Sequence, residues 1–96
     1  MSLNFGLEGV HVLITGAAGG IGLETVRTFR ELGARVTAHY NSGVGSLTDF
    51  PDIVKLQADV RDESAVARLF ADAAAEQGVP VSCLVVVCFH QHLSLI

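Results

Sequence analysis

Tryptophan is absent from the 96-residue chain, and proline, cysteine and positive charge are scarce: two Pro, two Cys and six Lys plus Arg. The six cations stand singly between Arg27 and Arg68. No basic cluster exists to track a phosphate backbone, so nucleic acid is not an expected partner. Cys83 and Cys88 lie inside one apolar run, residues 79–89, where a disulfide framework is implausible. They read as small buried hydrophobes and point weakly to a reducing compartment. The same run is interrupted by Pro80 and Ser82 and falls far short of the roughly 18 to 20 residues of a membrane helix. It reads as a buried strand, and no membrane partner is expected. The first nine residues lack a basic start followed by an apolar stretch, so no secretory signal is read and the cytoplasm is the expected address.

What the chain has is apolar residues, half of the total, with a formal charge of only -4. That balance belongs to a globular domain with a core and not to a disordered chain. At this length folding removes only about 60 to 65 % of the unfolded surface from water, so the expected stability is marginal. Residues 10–14, with Thr15 closing them, are β-branched and apolar and end at glycines, the pattern of a strand buried on both faces. From 21 to 32, Val26, Phe29 and Leu32 recur at helical spacing beside polar neighbours, with Gly33 placed to cap. Residues 34–40 form a second strand. The turn formers between 41 and 51 allow a loop with at most one helical turn.

Residues 53–58 alternate as a third strand that ends at Asp59. Asp62 and Glu63 then offer a cap and a negative first turn, and Val66, Leu69, Phe70 and Ala73 define one buried helix face. Gly78 and Pro80 stop this helix before a fourth strand over 81–88. Strand and helix alternate throughout, which selects an α/β architecture: a Rossmann-like parallel sheet with flanking helices and right-handed crossovers. Four strands in the order 3-2-1-4 make an incomplete doubly wound fold. One unit, 1–88, accounts for the pattern, and 89–96 is an atypical tail.

Between the first strand and first helix stands Thr15-Gly16-Ala17-Ala18-Gly19-Gly20-Ile21-Gly22. A pyrophosphate needs several backbone N–H donors and the positive end of a helix dipole, reachable only if no bulky side chain intervenes. In that reading Gly16 makes the sharp turn, Gly20 lets the backbone approach phosphate, and Gly22 allows close helix-on-strand packing. Ala18, Gly19 and Ile21 complete the cradle. The plainer reading, a tight turn and nothing more, leaves the entropic cost of four glycines, roughly 0.5 to 1 kcal/mol each, without a return.

The octet resembles the T-G-x-x-x-G-x-G signature of the short-chain dehydrogenase/reductase family, and the resemblance covers residues 8 to about 86. Gly16, Gly19 and Gly22 also satisfy the G-x-x-G-x-x-G spacing of the extended branch, so spacing alone does not separate the branches. Leu56-Gln57-Ala58-Asp59-Val60 is similar to the family segment in which the acid and the next backbone N–H hold the adenine ring. Asp59 and Val60 are the implied adenine contacts, with a simple turn acid as the alternative for Asp59. The residue expected to hold the ribose is Tyr40. His39-Tyr40-Asn41-Ser42 offers hydrogen-bonding groups and no carboxylate, so Tyr40, Asn41 and Ser42 lean toward NADP over NAD. Against that lean, the loop holds no Arg or Lys, and ordinary loop residues remain the alternative.

The resemblance stops near Val87. Where the family has an Asn-Asn-Ala-Gly turn this chain has Val87-Cys88-Phe89-His90, and the implied catalytic Ser and Tyr-x-x-x-Lys have no counterpart. Tyr40 and Lys55, the only tyrosine and lysine, precede the fourth strand. No catalytic residue is expected, therefore, and the 96-residue species is expected to be an inactive front half, with a frameshift or altered splicing behind the tail. Cys83, Cys88, His90 and His92 are metal-ligand types, but their spacing matches no familiar zinc pattern and no metal is expected. His11 and His39 read as strand-flanking residues. The fourth strand, at an edge, is expected to favour self-association or pairing with a full-length relative.

Overall fold

A computed structural model describes residues 6–87. Its elements are β1 (His11–Thr15), α1 (Gly20–Glu31), β2 (Arg35–Tyr40), a 3-10 turn (Gly45–Asp49), β3 (Val54–Gln57), α2 (Glu63–Gln77) and β4 (Cys83–Val86). The four strands are parallel and lie in the order β3-β2-β1-β4. The Rossmann-like order expected from the alternating pattern is the order found.

Register explains why the sheet is buried on both sides at its centre. Val12 lies opposite Val36 and Ile14 opposite Ala38, and these four pack with Val26 of α1 and with Leu47, Phe50 and Ile53 from the β2–β3 connection. That connection, short of a full helix, covers the sheet beside α1 because its apolar residues turn inward. Arg30 ties it down through Asp52 at 2.8 Å. On the opposite face Leu13 packs with Ala58 and Leu69 under α2. Each large side chain so buried contributes about 1.5 to 3 kcal/mol.

Local chemistry sets the helix ends. Asp62 accepts from the Ser64 N–H at 2.9 Å, Glu63 stands in the first turn of α2, and Gly78 closes the helix in the left-handed region at φ 79°. The capping residues expected for this helix all serve. Of its expected face, Leu69 and Ala73 are fully buried, while Val66 and Phe70 are half-buried.

Two expectations need correction. The fourth strand spans Cys83–Val86 and starts at Cys83, not at Val81: the Ser82 N–H already reaches the His11 carbonyl at 2.9 Å, but the chain leaving Pro80 joins β1 only there. Cys83 is half-buried against the α1-side core. Cys88 and the 89–96 tail, with His90 and His92, lie outside the described residues. Second, His11 and His39 do not flank strands. They sit within β1 and β2, both buried, because each imidazole finds partners on both of its nitrogens. β4 pairs with β1 on one side, and α2 lies over β3 and β2 instead. Leu84 and Val86 are consequently 48 % and 66 % exposed.

Candidate functional site

The carboxyl ends of β1, β2 and β3 deliver three segments to one rim: the turn 16–22, residues 40–42, and residues 58–61. Gly16 occupies φ +64°, and a Cβ there would lie 2.8 Å from the Val87 carbonyl oxygen. Only glycine makes this turn without strain. A Cβ on Gly22 would lie closer still to backbone, 2.7 Å from Ala17 Cα and hard against the Gly16 carbonyl oxygen. This glycine is what brings α1 down onto the turn. By contrast, a Cβ on Gly20 would meet nothing within 4 Å.

The two helices begin differently. α2 is capped by its own carboxylates, whereas α1 starts at Gly19 with no side-chain cap and no acid in its first turn. The first intrahelical bond reaches from the Leu23 N–H to the Gly19 carbonyl at 2.8 Å. The amides of Gly20, Ile21 and Gly22 precede it, so no intrahelical carbonyl reaches them, and they face the positive end of the helix dipole. A hollow of about 190 Å³ lies over them, lined by Gly16, Gly19, Gly20, Ile21, Gly22 and Val87. Ile21 is 66 % exposed at its lip, and Ala18 turns its methyl group toward the core.

Beside Gly16 a second cleft of about 370 Å³ runs across the carboxyl ends of all four strands, lined by Thr15, Val86 and Val87 on one side and by His39, Asn41, Asp59, Val60 and Arg61 on the other. Asp59 and Val60 thus stand together on one wall, with Val60 exposed. Tyr40 ends β2 half-buried against the core, and its carbonyl accepts from the Ala58 N–H at 3.2 Å. Ser42 lies in the exposed bend that follows. Of the three residues read as ribose contacts, therefore, only Asn41 lines the cleft.

Arg61 and His39 are the residues that sequence reasoning missed. The Arg61 guanidinium donates from Nε and Nη2 to the two Asp59 oxygens, each at 3.0 Å, and the Arg61 N–H reaches the same carboxylate at 3.0 Å. These bonds hold the Asp59 carboxyl at about 2, down from the ordinary 3.8. Because the folded value is the lower one, the pair's contribution to stability is complete above the ordinary value and is lost as pH falls through about 2. Both groups are exposed, so that contribution is small. The spacing of two between acid and base was the available signal. His39 joins the first segment to the third: its Nδ1 accepts from the Gly16 N–H at 3.1 Å, and its Nε2–H donates to the Ala58 carbonyl at 2.8 Å. Nothing local in the sequence marks it.

A profile of the short chain dehydrogenase family matches residues 10–88. The chain belongs to the short chain dehydrogenase family. Among solved structures it is similar to a short chain dehydrogenase from Leptospira borgpetersenii serovar Hardjo-bovis (strain JB197) with bound NAD+, at 25 % identity and a TM-score of 0.66. That alignment covers 83 % of this chain and 32 % of the other, so the chain spans about a third of the length of the solved relative. No curated protein matches the sequence. Among the described residues no helix is long and apolar enough to cross a membrane.

The residues present fit a dinucleotide of the kind bound in that solved relative. Uncapped amides, an open Cβ position at Gly20 and an adjoining cleft with one carboxylate supply donors, clearance and an acceptor in one continuous rim.

Proposed function

We propose that the chain binds a nicotinamide dinucleotide along this rim. The pyrophosphate rests on the Gly20–Gly22 amides beside Ala18 and Gly19, and the adenine lies in the cleft against Asp59 and Val60. The observation that carries this reading is the contrast between the helices, one capped by its own carboxylates and the other left open beneath a hollow. Asp59 accepts three bonds from Arg61. A carboxylate offers about four acceptor positions, so one remains for an exocyclic amine.

When bound, a nicotinamide ring supplies a hydride donor or acceptor. Joined to a catalytic half of the family type, this half serves carbonyl reduction or alcohol oxidation. The 96-residue chain itself holds cofactor without turnover. Its only lysine donates to the Ile53 carbonyl at 3.1 Å, and its only tyrosine packs half-buried at the end of β2. Neither lines the hollow over the glycine turn or the adjoining cleft.

The phosphorylated cofactor is preferred. No carboxylate follows β2 to repel a 2′-phosphate, and Arg61 brings a cation to the cleft that Asn41 lines. Titration of the intact chain is expected to give tighter binding of NADPH than of NADH. Arg61→Ala is expected to weaken NADPH about 10-fold, equivalent to one charged hydrogen bond, with a smaller change for NADH. Equal affinities in both proteins would reject the preference.

A second reading is favoured by the exposure of Leu84 and Val86 on β4, which among the described residues ends the sheet. Such an edge is a template for another strand, in a second copy or a longer relative. Sedimentation at rising concentration is expected to show association that Val86→Lys abolishes; a monomer throughout would remove this reading.

A further inference from the structure

Among the described residues, two hydrogen bonds from the glycine turn to β2 end on one residue, His39. The Gly16 N–H donates to the imidazole Nδ1 of His39 at 3.1 Å, and the Ala17 N–H donates to the His39 carbonyl at 2.9 Å. The far side of the same ring donates from Nε2 to the carbonyl of Ala58, at 2.8 Å, immediately before Asp59. The ring is buried, 3 % exposed, and lines the cleft with Gly16 and Asp59. With a carbonyl on Nε2 and an N–H on Nδ1, its tautomer is fixed: the proton is on Nε2 and the lone pair faces the turn.

We infer that His39 is the positioning residue of the dinucleotide site, setting the glycine turn through its Nδ1 while the Ala58 carbonyl on Nε2 fixes the tautomer that keeps Nδ1 an acceptor. The inference rests on the reading of the rim as a dinucleotide site. Its physical content is pre-organisation. Two turn amides that would otherwise compete for a ligand or for water, those of Gly16 and Ala17, are taken up by His39. The later amides, from Gly20 onward, are left as the donors. A planar ring with one acceptor and one donor at opposite corners does this in a single rigid piece, so little side-chain entropy is lost when ligand arrives. His39 touches no reacting atom and acts through Gly16.

Two near-isosteric changes separate the halves of this link. His39→Asn places an amide oxygen where Nδ1 stands, so the Gly16 bond is kept and the Ala58 bond is lost. His39→Gln places an amide nitrogen where Nε2 stands, so the Ala58 bond is kept and Gly16 loses its acceptor. Each variant removes one buried hydrogen bond, and thermal denaturation is expected to show similar losses of Tm in the two. NADH titration of the full chain is expected to separate them: affinity falls about 10-fold in His39→Gln and stays within about 3-fold of wild type in His39→Asn. Equal NADH affinities in the two variants, with wild type binding normally, overturn the role of His39 and leave the dinucleotide reading standing. A folded wild-type chain that binds no NADH overturns both. Should either variant fail to fold, nitrogen-15 NMR of the wild-type imidazole decides. The expected spectrum shows protonated Nε2 and free Nδ1, with the Nδ1 signal moving on NADH addition. A ring protonated on Nδ1, or an Nδ1 signal unmoved by bound NADH, overturns the inference.

Discussion

Replacing Gly22 by alanine is expected to cost the chain about 3 kcal/mol, which for a domain of this size lowers Tm by roughly 12 to 24 °C. One methyl group does this because it would be pressed against backbone. The Cβ would sit within 2.9 Å of Ala17 C and closer to Ala17 Cα and the Gly16 carbonyl oxygen. None of these atoms can rotate away as a side chain would, so α1 must lift from the turn or the turn must open, and either movement displaces the amides beneath the 190 Å³ hollow. Gly20→Ala is the control. Its Cβ meets no atom, and alanine at a helical position is worth about 0.8 to 1 kcal/mol over glycine. The expected result is an unchanged or higher Tm with dinucleotide affinity lowered at least 10-fold, because the methyl group stands where phosphate approaches. Differential scanning fluorimetry and titration on both variants check the pair. A Gly22→Ala chain with wild-type stability would show that the close contact is not a constraint.

Thr37→Val is expected to cost about 1 to 3 kcal/mol although valine matches threonine in shape. Thr37 is fully buried on the α2 face, and its hydroxyl accepts from Gln77 Nε2 at 3.1 Å and donates to His11 Nε2 at 2.7 Å. The other nitrogen of His11 donates to the Val79 carbonyl at 2.9 Å. This chain of bonds ties the start of β1 to β2 and to the segment leading into β4, so it holds the amino-terminal end of the sheet as His39 holds the carboxyl-terminal end. No buried side-chain nitrogen or oxygen among the described residues lacks a partner. Removing the hydroxyl strands the His11 Nε2 lone pair in the interior, which costs more than the bond itself contributed. The double variant Thr37→Val/His11→Leu is therefore expected to recover much of the loss, since no stranded imidazole remains and half-buried Val79 lets its carbonyl turn to water. Denaturant unfolding of the two single variants and the double variant measures this; additive losses would contradict the network.

The parallel order β3-β2-β1-β4 was legible because it follows from local signals and handedness. A buried run at 10–15, a glycine turn, an acid-capped helix at 63 and a stop at Gly78 leave few ways to wind the chain. The glycine turn was legible for the same reason, since its four glycines fall within seven residues and their context is immediate. What escaped depends on register. Whether His39 meets Gly16 is decided by how β1 aligns with β2, and whether it meets Ala58 is decided by β3, 19 positions later. No periodicity within β2 carries that information, so His11 and His39 read as strand-flanking residues when both lie in the sheet. Arg61 escaped because it follows β3 and not β2, and only the fold brings it to the cleft that Asn41 lines. Leu84 and Val86 read as buried because alternation along an apolar strand does not say how far α2 extends over it.

The central claim is that the open end of α1 and the Asp59 wall form one dinucleotide site. Amide NMR of the intact, isotope-labelled chain during titration with NADPH tests it most directly, because every residue of the rim except the side-chain groups reports its own backbone signal. The expected result is saturable shifts concentrated at Gly19 to Leu23 and at Asp59 to Arg61, following one binding curve. A folded chain whose amides in these two segments stay unmoved at saturating NADPH, or move with separate affinities, would contradict the claim.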